Sequence, residues 1–122
     1  MSERISEAEH AVMEVLWTEA PLGAAEVAAR VDPARDWSIR TVKTMLSRLL
    51  AKGALAHEAD GRRYLYRPAV TREEFVARES GRLLDRMFGG RVTPLVAHLA
   101  EQNRLTPKDI EEIEALLRDL KS

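Results

Sequence analysis

The chain has 122 residues, 45% hydrophobic and 32% charged, with 19 cations against 20 carboxylates and no cysteine. That length holds one moderate domain, or two small ones sharing cores with a partner chain, and the composition is globular rather than disordered. The lack of cysteine excludes a disulfide framework, a thiolate metal site and a cysteine nucleophile; no apolar run reaches the roughly 20 residues that cross a bilayer, and with no signal peptide in view the expected location is cytoplasmic.

Residues 1–33 carry two arginines against seven carboxylates, net -5. Residues 34–68 carry eight cations against Asp36, Glu58 and Asp60, net +5, and residues 69–122 carry nine against ten, net -1. A positive excess confined to one contiguous third marks a local anion-binding surface.

Ser6 to Glu9 reads as a capping box opening a helix to about Glu19, with Ala8, Val12, Val15 and Leu16 on its apolar face and Ala11 and Trp17 beside them. Pro21 ends that helix. Gly23 with Glu26 starts a short second one through Arg30, which points Val27 and Val31 inward before Pro33 closes it. The third is the most informative. Ser38 caps it, Trp37 staples onto Val42, and Lys52-Gly53 ends it. Val42, Met45, Leu46, Leu49 and Leu50 form one apolar stripe, which Ile39 extends by a turn. Arg40, Lys43, Thr44 and Ser47 recur on the other side as a row of donors without a carboxylate. This is a helix with its back in a core and its front offered to a polyanion.

After Gly53 the period changes. Leu55–Ala59 and Arg62–Arg67 flank Asp60-Gly61, a two-residue hairpin signal of the I′ kind, with Tyr64 and Tyr66 on one face and Arg63, Leu65 and Arg67 on the other. Three helices followed by a hairpin with a basic tip is the order of a winged helix-turn-helix, whose third helix lies in the major groove of DNA. The remainder reads as helical: Thr71–Glu74 caps a helix to about Phe88 with Val70 and Phe75 as staple, and Gly89-Gly90 breaks it. Thr93-Pro94 starts a shorter helix through about Gln102, and Thr106-Pro107 with Asp109 starts the last, with Leu105 and Ile110 as staple. The expected fold is mainly α with a small β-hairpin wing. These last fifty or so residues carry more apolar surface than a monomer of that size hides, which calls for a second chain.

On this reading Arg40 and Lys43 reach guanine O6/N7 or phosphates, Thr41 and Thr44 meet base edges or thymine methyls, and Ser38 at the helix start and Ser47 complete the surface. Arg48 lies nearer the flank and reaches either DNA or an acidic residue of the first helix. Arg62 and Arg63 at the wing contact phosphate or the minor groove. Trp17 and Trp37 belong to the core. His10, His57 and His98 sit on three separate elements, so no metal site is expected, nor any cofactor. Glu73-Glu74 and Glu111-Glu112 complement helix starts rather than forming a catalytic pair, and the chain holds no glycine-rich phosphate loop, so no enzyme is expected.

Trp37-Ser38, Thr41-Val42, Thr44, Leu46, Arg48-Leu49 and Lys52-Gly53, followed by Gly61-Arg62 and Tyr66-Arg67-Pro68, resemble the recognition helix and wing of the penicillinase-repressor family. That family includes the BlaI, MecI and copper-responsive CopY repressors. Ile5–Glu9, Val12-Met13 and Leu16-Trp17 resemble its first helix. The resemblance implies a homodimeric repressor on a dyad-symmetric operator upstream of a β-lactamase or related resistance or stress gene. It implies a DNA-binding domain over 1–70 and a three-helix dimerisation domain over 71–122. Leu84, Met87, Phe88, Leu95, Val96, Leu99, Ile110, Ile113, Leu117 and Leu120 are the candidate dimer contacts. In antibiotic-responsive members a membrane sensor protease triggers cleavage at an Asn-Phe bond in the second tail helix. His98-Leu99 stands at the corresponding place and is the candidate cleavage site. The copper-responsive branch carries a C-terminal cysteine cluster that this chain lacks, leaving the BlaI/MecI-like branch. The rival expectations are a winged-helix protein-interaction module and a small-molecule-responsive regulator of the same fold.

Overall fold

The structure, a computed structural model, describes residues 4–122. Most helices begin where the sequence supplies a cap. In α1 (Glu7–Thr18) the Ser6 hydroxyl accepts from the Glu9 N–H at 3.1 Å while the Glu9 carboxylate accepts from the Ser6 N–H at 2.8 Å. In α2 (Ala24–Arg30) the Glu26 carboxylate accepts from the Gly23 N–H at 2.9 Å. A 3₁₀ turn over Pro33–Arg35 leads to α3 (Ile39–Ala51), where the Ser38 hydroxyl accepts from the Thr41 N–H. At its end Gly53, with φ of 77°, lets its own N–H bond the Leu50 carbonyl and that of Ala54 bond the Leu49 carbonyl. Those two bonds satisfy carbonyls that the end of the helix would otherwise strand.

The hairpin pairs β1 (Leu55–Asp60) with β2 (Arg63–Pro68), Leu55 opposite Pro68 and Asp60 opposite Arg63. The turn is therefore Gly61-Arg62, one residue later than Asp60-Gly61, and it is not of the I′ kind. Gly61 alone has positive φ, at 65°, which is the II′ pattern. The glycine takes the first central position and leaves Asp60 in the ladder. Leu22 and Tyr66 exchange N–H to carbonyl bonds at 3.1 and 2.8 Å. This single-residue third strand ties the hairpin to the turn before α2.

The core consists of Val12, Met13 and Leu16 of α1, Leu22, Val27 and Val31 around α2, Val42, Leu46 and Leu49 of α3, and Ala54 and Leu55. Met13 is buried completely, while Ala8 and Val15 are only half-buried. Trp17 and Trp37 pack half-buried against this cluster, as expected. Ile39 does not extend it: the residue is 47% exposed and faces the cleft between the start of α2, α3 and the wing.

Glu9 is 1% exposed, a buried charge on the core side of α1. Its partner is Lys52, whose ammonium lies 2.6 Å from Oε1 and also donates to the Arg4 carbonyl at 2.8 Å. Burial opposes ionisation of Glu9, but Lys52 and the Ser6 hydrogen bonds outweigh it and hold the carboxyl below its ordinary value. The pair clamps the start of α1 to the end of α3.

The chain divides into two compact units, Met1–Phe75 and Val76–Ser122. The first includes the start of α4 (Arg72–Phe88), because Phe75 is buried with its ring 5.3 Å from Trp17 and 5.0 Å from His10. The Trp17 indole N–H bonds the Val70 carbonyl at 3.0 Å. The Thr71–Glu74 capping box forms.

In the second unit α4 ends at Gly89-Gly90, both with positive φ. Helix α5 (Val92–Glu101) starts before Thr93-Pro94 rather than at it. Pro94 falls in the first turn, where its missing N–H has no helical partner to lose. Asn103, with φ of 57°, ends α5 as a glycine would, and α6 (Pro107–Lys121) opens on the Thr106–Asp109 box. No side chain of Val76–Ser122 is fully buried.

Lys52→Ala strands the buried Glu9 charge and is expected to cost about 3 kcal/mol in urea unfolding, whereas Glu9→Gln combined with Lys52→Met recovers most of that loss. A single Lys52→Ala loss under about 0.5 kcal/mol would show that the clamp contributes little. The Glu9 carboxyl is lowered on folding, so its contribution is complete above the ordinary value of 4.5 and is lost as pH falls through the lower folded value.

Candidate nucleic-acid interface

Core burial turns α3 so that Arg40, Lys43, Thr44, Ser47 and Arg48 are all exposed, with Thr41 half-buried. The Ser38 hydroxyl lies 3.1 Å from that of Thr41, so these two close the cap together. The Thr44 hydroxyl donates to the Arg40 carbonyl at 3.1 Å, which leaves the oxygen able to accept.

The eight cations of residues 34–68 sort into two sets. Arg35 pairs with Glu7 and lies 4.9 Å over the Trp37 ring; Lys52 pairs with Glu9; Arg63 pairs with Glu26 at 2.9 Å and with Asp60 at 3.4 Å. Arg40, Lys43, Arg48, Arg62 and Arg67 make no ion pair with any described residue. The bond to the first helix that Arg48 had open to it is made by Lys52 instead. The acidic α1 is otherwise occupied: Glu14 meets His10 at 3.0 Å and Arg72 at 3.2 Å, and Glu19 meets Arg30 at 3.1 Å. The donor row of α3 is therefore open to a ligand and not packed on the protein's own carboxylates.

Arg63 plays a different part from Arg62. Glu26 caps α2 with one oxygen, and that same oxygen accepts from Arg63. The Gly23 N–H, together with Arg63, holds the Glu26 carboxyl below the ordinary range. Arg63 thus fastens the wing to α2, whereas Arg62 stands in the turn with its guanidinium exposed. Tyr66 packs on the core, and burial, with Tyr64 nearby, pushes its phenol up. Tyr64 is exposed, with its ring 4.6 Å from His57. The start of α2, the exposed side of α3 and the wing enclose an open cleft into which Lys43, Ser47, Arg62 and Ile39 face. Sequence reasoning missed two residues here. Arg67 is a cation on β2 with no ion pair among the described residues; the wing motif and the basic third both include it, but it is not among the candidate contacts. Ile39 has the spacing of the stripe, so periodicity places it in the core.

Arg30, Arg35, Glu14 and Glu19 line a second depression with Ala11, Val15 and Val31, and these four charged groups are paired with one another or with neighbours, while Asp32 beside them accepts from the Ala34 N–H. No group of histidine, aspartate and glutamate that could hold a metal occurs among the described residues, and no helix among them is long and apolar enough to cross a membrane.

A helix-turn-helix whose second helix turns a carboxylate-free row of donors outward beside a basic hairpin defines a winged-helix DNA-binding protein. The penicillinase repressor family profile matches residues 5–119, and the chain belongs to that family of DNA-binding transcriptional repressors, which are not enzymes. It is 32% identical over 119 residues to the penicillinase repressor of Bacillus licheniformis, covering 98% of this chain and 93% of that one. The methicillin resistance regulatory protein MecI of Staphylococcus aureus (strain N315) is 26% identical over 113 residues, covering 93% and 92%. Among solved structures, the monomeric form of Bacillus licheniformis BlaI in complex with the blaP half-operator aligns with a TM-score of 0.51 at 36% identity, covering 61% of this chain and 90% of that one.

If the Arg63–Glu26 bond positions the wing, Glu26→Ala speeds hydrogen exchange at the Tyr66 and Leu22 amides, which carry the tie between hairpin and α2. Unchanged exchange at both would mean the wing is held by its ladder and core contacts alone.

Proposed function

We infer that the protein represses transcription as a homodimer, each protomer laying α3 in the major groove of one half of a dyad-symmetric operator. What carries this reading is the sorting of charge: five cations on α3 and the wing have no carboxylate partner among the described residues, while the other three of that third do. Arg40 and Lys43 read base edges or phosphates, Thr44 and Ser47 add donors, and Arg48 and Arg62 meet backbone phosphate. Ser38 and Thr41 set the first turn, and Arg63 holds the wing in place. The relative solved as a monomer on a half-operator supports DNA as the partner, and one protomer on one half is the unit a two-fold operator would repeat. The regulated gene, by likeness to the penicillinase and methicillin-resistance repressors, is a β-lactamase or related resistance or stress gene.

Residues 1–70 serve DNA and 71–122 serve dimerisation. In the single chain no side chain of Val76–Ser122 is fully buried. Of the ten candidate dimer residues, Leu84, Phe88, Leu95, Val96, Leu99 and Ile113 are half-buried. Met87, Ile110, Leu117 and Leu120 are exposed, Met87 at 60% and Leu120 at 81%. Helices so incompletely covered need a second chain to hide their apolar stripes. His98-Leu99 lies inside α5, with His98 exposed, so a sensor protease cutting there acts on a helix that must first open.

Two measurements test the reading. Replacing Arg40 and Lys43 with Ala removes at least about 2 kcal/mol of binding per half-site and flattens the dependence of affinity on log salt, with circular dichroism unchanged because both side chains are exposed. Equal affinity and slope for the double variant would remove α3 from the interface, and a flat salt response in the unaltered protein would favour a protein partner over duplex. Leu117→Lys with Leu120→Lys gives monomers in sedimentation and weaker duplex binding; an undiminished dimer would place the interface elsewhere.

A further inference from the structure

Ile39 is the first residue of α3, and periodicity assigns it to the core. Instead it stands 47% exposed in the cleft between α3 and the wing, one turn before Lys43 on the same side of the helix. An exposed isoleucine is by itself unremarkable. Its surroundings are less ordinary, because the polar side chains lining that cleft are all cationic or hydroxylic: Lys43, Ser47, Arg62, Tyr64, Tyr66 and Arg63, the last already tied to Glu26. A partner that fits must present anionic groups to the cations and a small apolar group to Ile39. The major groove of duplex DNA presents both, phosphates at its edges and the thymine C5-methyl on its floor. The first residues of a recognition helix are the ones that meet base edges. A β-branched side chain in a helix is confined to nearly one rotamer, so its methyls are held in place before the ligand arrives.

We propose that Ile39 reads a thymine methyl in each half-site and so sets a base preference that the cations beside it cannot. This rests on α3 lying in the major groove, as inferred above, and adds the base identity at one position.

The probe is a duplex enriched by the unaltered full-length protein from a random-sequence pool, its thymines then replaced one at a time by deoxyuridine, which removes only the methyl. At one thymine per half-site the unaltered protein is expected to lose about four-fold in affinity, the worth of one buried methyl. Ile39→Ala is expected to lose a similar factor on the thymine duplex and nothing more on the deoxyuridine one. Ile39 is exposed, so the variant folds; its melting temperature verifies this, and the deoxyuridine scan of the unaltered protein needs no variant. If no thymine replacement weakens binding, or if the losses from Ile39→Ala and deoxyuridine simply add, the proposal fails while DNA binding through α3 stands. If the pool yields no enriched duplex, the DNA reading itself falls, and this proposal with it.

Discussion

The burial of Val42, Leu46 and Leu49 orients everything that matters on α3. All three are completely buried, each contributing about 1.5–3 kcal/mol, and they recur on one stripe, so the helix has a single rotation that hides them. That rotation sends Arg40, Lys43, Thr44 and Ser47 outward. The Glu9–Lys52 clamp adds an axial constraint, because a buried carboxylate tolerates little sliding of the ammonium that compensates it. With Ser38 closing one end and Gly53 the other, α3 is a rigid bar whose outer face is set by what its inner face buries.

Charge is then divided by reach. The acidic first third takes Arg35 through Glu7, Lys52 through Glu9 and Arg63 through Glu26, and these bonds hold the turn before α3, its end and the wing. What remains is a set of cations whose neighbours are hydroxyls and apolar groups. A near-neutral chain of net -1 thus carries a local positive surface, and within about a Debye length of 8–10 Å a polyanion responds to that surface rather than to the total.

The second unit is held by local helix chemistry. Capping at Thr106–Asp109 and the positive-φ turns at Gly89, Gly90 and Asn103 define where its helices start and stop. Those devices shape a segment without giving it an interior, and the leucines of α6 stay largely exposed. A unit built this way leaves apolar surface that burial on another molecule would hide, and any such burial would make its stability depend on concentration.

Local chemistry was legible in the chain alone. The caps at Ser6, Ser38, Thr71 and Thr106 were readable because each depends on residues within four positions of one another, and the stripe and donor row of α3 because both follow one helical period. The hairpin was readable as well, but its turn moved by a residue, since a single glycine fits either neighbouring turn until the ladder chooses.

What only the tertiary structure decided were relations across the chain. Glu9 found its countercharge in Lys52, Arg63 met Glu26 across the space between the wing and α2, and Ile39 stayed exposed in the cleft between α3 and the wing. Leu22 became a strand only through Tyr66. Periodicity states which residues share a face of an element; how far a neighbouring element extends over that face is settled when the elements pack.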